Sequence, residues 1–281
     1  MINKKLPNFI IVGAGKCGTT SLHNYLSQHP QVYICPQKET FFFMGEEQRN
    51  KNKKWGAVTS IEEYSKLFAQ APENSVVGEI STVYYAHEKS ASLIHQYLPQ
   101  TKIVAILRDP AQRAFSDYQM HFRKGREKRD FNTTIQAKRQ YIRQGFYYAE
   151  LKPFFEIFNR DQIKILLYED LAKNPLGFIQ DLFRYIEVDD QFIPDMSKRG
   201  RDSGMAKNTA LNRLLNKQNL FTKALKTVIP NSVINKLIKQ NSYKPKLSIE
   251  DRNQLIQIYR EDILKLQDLL ELDLSAWLSH N

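Results

Sequence analysis

"FIIVGAGKCGTTSLHNYL", Phe9 to Leu26, decides the fold. Phe9–Val12 is a short apolar run that reads as a strand buried on both faces. Thr20–Gln28 carries helical spacing. Between them runs Gly13-Ala14-Gly15-Lys16-Cys17-Gly18-Thr19-Thr20. Glycines let backbone N–H groups turn inward, and the helix that follows offers free N–H groups and the positive end of its dipole. Lys16 adds a mobile positive charge, and Thr19, Thr20 and Ser21 add hydroxyls. The segment therefore predicts a phosphate cradle made by Gly15, Lys16, Cys17, Gly18, Thr19, Thr20 and Ser21. In the common triphosphate loop, G-x-x-x-x-G-K-[ST], the lysine follows the second glycine. Here Lys16 precedes Gly18, which points to a different phosphate compound.

Three more apolar runs, Val76–Glu79, Lys102–Leu107 and Ile163–Tyr168, read as strands of the same kind. Helical patterns lie between them at Ile61–Gln70, Ser90–Tyr97, Ala111–Phe122 and Tyr147–Phe158. Strands alternating with helices predict an α/β fold: a P-loop-containing parallel sheet flanked by helices. Gly45–Ser60 is a polar, basic surface excursion. Ser248–Leu270 is amphipathic, with Leu255, Ile258, Tyr259, Asp262, Ile263, Leu266 and Leu270 at near-helical spacing, and Trp277 is expected to dock on the body. The chain is expected to form one domain over residues 1–281, with a core of about 7–207 and a helical C-terminal region of about 208–281.

The chain carries 41 basic and 30 acidic side chains, a net charge of +11, which favours an anionic partner. No apolar run approaches the ~20 residues that span a bilayer. Cys17 and Cys35 are the two cysteines, too few for a disulfide framework or a four-ligand zinc site. A reducing, cytoplasmic setting fits best.

The second informative stretch is "VAILRDPAQRAFSDYQMHF", Val104 to Phe122. A buried strand ends at Arg108, and Asp109-Pro110 starts a helix with proline in its favoured first turn. Arg108 and Ser116 are placed to converge on a second phosphate at the carboxyl edge of the sheet, where open α/β folds bind ligands.

Together "GAGKCGTTSL" and "LRDPAQRAFSDY" resemble the sulfotransferases that use 3′-phosphoadenosine 5′-phosphosulfate (PAPS). The resemblance implies that the first loop holds the 5′-phosphosulfate and the second segment the 3′-phosphate. "PQKETFFF" (Pro36–Phe43) is similar to the K-E-x-x-F-F signature of the glycan branch, related to the heparan sulfate enzymes. "GEISTVYY" (Gly78–Tyr85) resembles that branch's G-E-K-S-P-x-Y segment, "ILLYEDL" (Ile165–Leu171) a strand-end segment of the family, and "KRGR" (Lys198–Arg201) its late nucleotide-binding loop. By this resemblance Arg199, Gly200 and Arg201 join the donor site, and Lys38, Ser81 and Tyr85 are acceptor-side candidates. Ile80 departs from the branch's lysine. With cysteines only at 17 and 35, the disulfide common near the late loop of heparan sulfate enzymes cannot form, which points to a bacterial or otherwise intracellular relative.

The implied reaction moves a sulfuryl group from PAPS to a hydroxyl or amine, leaves adenosine 3′,5′-bisphosphate, and needs no metal. Lys16 suits the leaving group. Glu39, carried over from the K-E-x-x-F-F match, is the candidate base, with Phe41, Phe42 and Phe43 to limit solvent. Other branches use histidine, and of six here His87 is the best rival. The acceptor is not identified, a glycan being the class the resemblance suggests. A P-loop kinase or hydrolase remains an alternative, although no acidic magnesium partner follows the loop. A noncatalytic polyanion binder is another, although no nucleic-acid signature appears and no nucleic-acid partner is expected.

Overall fold

The apolar runs pair into one parallel sheet. In the computed structural model, which describes residues 5–197, 205–206, 242–243 and 245–280, the strands are β1 (Phe9–Gly13), β2 (Val32–Ile34), β3 (Val76–Ile80), β4 (Lys102–Leu107) and β5 (Ile163–Leu167). Their spatial order is β2-β3-β1-β4-β5, all parallel. Phe9 to Val12 and Ile103 to Leu107 are fully buried, as helices on both faces require. β1 lies at the centre. The chain leaves it toward β2 and β3 on one side and later adds β4 and β5 on the other. The crevice at its carboxyl end is therefore the topological switch point.

The helical segments marked in the sequence appear, and five further helices among the described residues, at Glu46–Asn52, Phe131–Ala137, Gln140–Arg143, Tyr168–Lys173 and Pro175–Tyr185, were not anticipated. The helices are α1 (Thr19–Leu26), α2 (Glu46–Asn52), α3 (Ile61–Lys66), α4 (Ser90–Tyr97), α5 (Pro110–Arg123), α6 (Phe131–Ala137), α7 (Gln140–Arg143), α8 (Tyr147–Ile157), α9 (Tyr168–Lys173), α10 (Pro175–Tyr185) and, among the described residues after them, α11 (Ile249–Leu270). Pro110 takes the first turn of α5, and Asp109 caps it by accepting from the N–H groups of Ala111 and Gln112. α11 docks on α8 and α5 through Leu255, Tyr259, Ile263 and Leu266, and Asp262 accepts the N–H groups of Tyr148 and Ala149 at the start of α8 at 3.0 and 3.3 Å. Trp277 is buried with its ring centroid 5.9 Å from that of Tyr147, as expected. The excursion at Gly45–Ser60 contains α2 and a short 3-10 turn, Lys53–Trp55. Most of the region between 208 and 246 lies outside the described residues.

Candidate active site

The cradle begins with a close approach. A Cβ on Gly13 would stand 2.3 Å from Cδ1 of Tyr85 and 3.0 Å from its Cβ. The buried Tyr85 cannot retreat easily, because its hydroxyl donates to the carbonyl of Gln144. Gly13→Ala should therefore cost about 1–3 kcal/mol through overpacking. Thermal denaturation checks this, and an unchanged midpoint would show that the wall yields. At the far end Gly18 adopts φ 84°, a left-handed conformation that favours glycine, and begins α1 with no side-chain cap. The N–H groups of the first turn thus face the loop unclaimed by any side-chain cap, beside Thr19, Thr20 and Ser21. The Cys17 thiol is buried, donates to the Gly15 carbonyl at 3.8 Å, and has its pKa pushed up to about 12 by burial.

Burial lowers the pKa of the Lys16 ammonium; Asp117 opposes this, and the cations Arg123, Lys124 and Arg108 add to the lowering. A desolvated cation crowded by three others is held ready for an anion. Arg108 follows β4, donates from Nη1 to the Lys16 carbonyl at 3.3 Å, and lies 4.6 Å over the Tyr168 ring. The two phosphate motifs therefore meet at one place. Ser116 is half-buried on α5, next to Asp117. Arg199, Gly200 and Arg201 lie outside the described residues.

Glu39 arrives from the segment after β2. Its backbone, at φ 59°, turns under β3, with its N–H donating to the Ile80 carbonyl at 3.1 Å. Thr82 Oγ1 donates to Glu39 Oε1 at 2.7 Å. The same Oγ1 is 3.7 Å from where a Cβ on Gly15 would sit, so Thr82 spans the gap between carboxylate and cradle. Glu39 Oε2 is buried without a partner. Burial raises the Glu39 pKa, against the lowering pull of hydrogen bonds from Thr82 and Val83 and of the Lys38 charge. A basic oxygen with a free lone pair, near a cradle for anions, is what proton abstraction needs.

A fully buried carboxylate holds this turn in place. Glu79 Oε1 accepts from Thr40 Oγ1 at 2.7 Å, Ser81 Oγ at 2.6 Å and Tyr84 OH at 2.9 Å, while Oε2 accepts from Tyr64 OH. Ser81 Oγ also accepts the Thr40 N–H at 3.1 Å, and Phe42 stacks on Tyr64. Ser81 and Tyr85, expected among the acceptor contacts, thus lie inside the wall with their hydroxyls engaged. They hold the site rather than touch its contents. Lys38 is half-buried beside Glu39 in the chain, its pKa lowered by burial. The sequence reading missed Glu79, Thr82 and Asp117. The signals for Glu79 were a charge at the end of an apolar strand and its place as the glutamate of the G-E-K-S-P-x-Y resemblance. His87 serves a turn: its Nδ1 accepts the Lys89 N–H at 3.4 Å, its carbonyl accepts the Ser90 N–H, and burial lowers its pKa.

The basic excursion borders Glu39. Gln37 Nε2 donates to the Gly56 carbonyl at 2.6 Å, and the Val58 N–H donates to the Thr40 carbonyl at 2.9 Å. Just before these ties stands Trp55, 62% exposed, with Lys54 Nζ 5.5 Å over its ring.

Comparison with known proteins gives one answer. Residues 7–192 match the model of the sulfotransferase family. A sulfotransferase from Alicyclobacillus acidocaldarius superposes with a TM-score of 0.76 at 27% identity, over 98% of this chain and 100% of that one. The membrane-associated sulfotransferase kil1 of Dictyostelium discoideum is 36% identical over 42% of this chain and 23% of its own length. Heparan sulfate glucosamine 3-O-sulfotransferase 3A1 of Mus musculus is 26% identical over 62% of this chain and 44% of its own. The chain thus spans less than half the length of these two curated relatives. No helix among the described residues is long and apolar enough to cross a membrane.

Proposed function

The chain belongs to the sulfotransferase family, and from that premise we propose that it transfers a sulfuryl group from PAPS to a hydroxyl of a glycan-like acceptor. The observation that carries this reading is the span from Gly15 through Thr82 to Glu39, with the unpartnered Oε2 of a buried base beside an anion cradle. Bound PAPS would supply the sulfuryl group and, as leaving group, adenosine 3′,5′-bisphosphate. The residues fit it. Gly15, Lys16, Cys17, Gly18, Thr19, Thr20 and Ser21 would hold the 5′-phosphosulfate through N–H groups, hydroxyls and the ammonium. Arg108 and Ser116 would hold the 3′-phosphate, and Arg199, Gly200 and Arg201, which lie outside the described residues, would belong to the same nucleotide site by their resemblance to the family's late loop.

In the transfer the acceptor oxygen bonds to sulfur as the bond from sulfur to the bridging phosphate oxygen breaks, and the electron pair stays on that oxygen. Glu39 Oε2 takes the acceptor's proton. Lys16 and the loop N–H groups stabilise the charge gathering on the leaving oxygen, as in phosphoryl transfer. No metal is assigned a part. Trp55 and Lys54 belong to the excursion tied to Gln37 and Thr40, the residues that flank Lys38 and Glu39. An exposed aromatic face among cations suits an anionic sugar chain. The two free, buried cysteines support a reducing compartment.

Calorimetry with adenosine 3′,5′-bisphosphate, AMP and ATP tests the donor assignment. The bisphosphate should bind tightest. Arg108→Ala should cost about 1.5–3 kcal/mol of bisphosphate affinity, the value of a hydrogen bond to a charged group, and leave AMP nearly unaffected. Equal affinity for AMP and the bisphosphate in the unaltered protein would remove the 3′-phosphate site.

A further inference from the structure

The family match ends at residue 192, yet a residue well beyond it reaches the anion site. Arg252, in the first turn of α11, places Nη1 2.7 Å from Asp109 Oδ2. Both side chains are about nine-tenths buried, 9% and 10% exposed. Asp109 directly follows Arg108. Its other carboxylate oxygen caps α5, accepting from Ala111 at 2.9 Å and Gln112 at 3.1 Å, and its own N–H donates to Glu169 Oε1 at 2.9 Å. Arg252 is itself fixed from behind, Nε donating to the Ser279 carbonyl at 3.0 Å. On the other side of the junction, Tyr147 OH donates to the Arg108 carbonyl at 2.9 Å, and Trp277 packs on Tyr147. The C-terminal segment therefore holds the Arg108–Asp109 junction from two directions.

The charges make this more than a brace. A carboxylate one residue from Arg108 stands beside the place assigned to a dianionic phosphate. Left uncompensated in a poorly solvated position, its field would oppose that phosphate. Arg252 is the cation that offsets it. We infer that Arg252 is a positioning residue for the 3′-phosphate subsite: it neutralises Asp109 and fixes the junction, so that Arg108 presents its guanidinium to the phosphate without the Asp109 charge opposing it. The inference rests on the donor reading above, and it gives the C-terminal helix a part in choosing the nucleotide.

The test measures bisphosphate and AMP affinity by calorimetry on the full chain. The proteins compared are the unaltered chain, Arg252→Met, Arg252→Lys and the double variant Arg252→Met with Asp109→Asn. Asparagine still caps a helix but carries no charge. Exposing the Asp109 charge in Arg252→Met should weaken the bisphosphate about 10-fold and AMP less than about twofold. Arg252→Lys should keep most of the preference. The double variant should recover bisphosphate affinity to within about threefold of the original, because the Asp109 charge that Arg252 offsets is gone. A merely structural role would weaken both nucleotides alike, and that result would overturn the inference. So would an unchanged preference in Arg252→Met, or a double variant as weak as the single one. If Arg252→Met does not fold, the double variant decides alone: a lost preference for the bisphosphate overturns the inference, and a retained one supports it. Failure of the donor reading would look different, since the unaltered protein itself would show no preference.

Discussion

Glu39→Gln is expected to lower kcat by about 10²–10⁴-fold, the usual contribution of a positioned general base. Glutamine keeps the shape and can still accept from Thr82, so nucleotide affinity should stay close to that of the unaltered protein. The pH profile adds a second signature. Burial raises the folded pKa of Glu39. The base form is populated only above that raised value, so the acid limb of kcat should lie above the ordinary glutamate range and vanish in the variant. Stability should change in the opposite sense. A raised folded pKa means that the folded state binds this proton more tightly than the unfolded chain does. The stability this gives is present at low pH and is lost as pH rises through the folded value. Glu39→Gln should therefore melt no lower than the unaltered protein at neutral pH, with any gain shrinking as the pH falls toward the unfolded value. His87→Ala is the control, and its kcat should hold, since the His87 imidazole serves the turn before α4. Retained activity in Glu39→Gln together with lost activity in His87→Ala would transfer the role to the histidine.

Lys16→Ala is expected to reduce kcat by about 10²–10³-fold, the scale seen when one preorganised donor to a developing anion is removed. Turnover should suffer more than product-nucleotide affinity. The charge on the leaving oxygen is largest as the bond to sulfur breaks, and only interactions that strengthen there raise the rate. Lys16 has already lost much of its hydration, and Arg108, Arg123 and Lys124 crowd it. Its attraction to that charge is therefore screened little by water. Rates at saturating donor, set beside bisphosphate affinity, check this. An unchanged kcat with weakened binding would reduce Lys16 to a ground-state contact.

The strands and the meeting of the two phosphate motifs were legible because each rests on local chemistry: continuous apolar runs, glycines before a helix, Asp-Pro at a helix start. β2 was missed because its three residues at the sheet edge, Val32–Ile34, are too few to set a period. The Glu79 network was missed for a different reason. Thr40 and Tyr64 converge on it from separate segments, Ser81 and Tyr84 from its own, and only the folded chain shows that Ser81 faces inward. The pairing of Arg252 with Asp109 spans 143 positions, and no local pattern announces it. The motifs thus named the chemistry, whereas the groups that hold the motifs in place came from long-range packing.

The central claim is sulfuryl transfer from PAPS, and following the sulfur tests it most directly. The full chain, with a chelator present, is given donor labelled in its sulfate and a panel of desulfated glycans, simple alcohols and amines. The account predicts that label moves to a hydroxyl-bearing glycan and that one adenosine 3′,5′-bisphosphate appears for each sulfate transferred. It also predicts that Glu39→Gln slows both together. Label that stays on the nucleotide across the whole panel, in a protein that instead hydrolyses ATP when magnesium is restored, would contradict it.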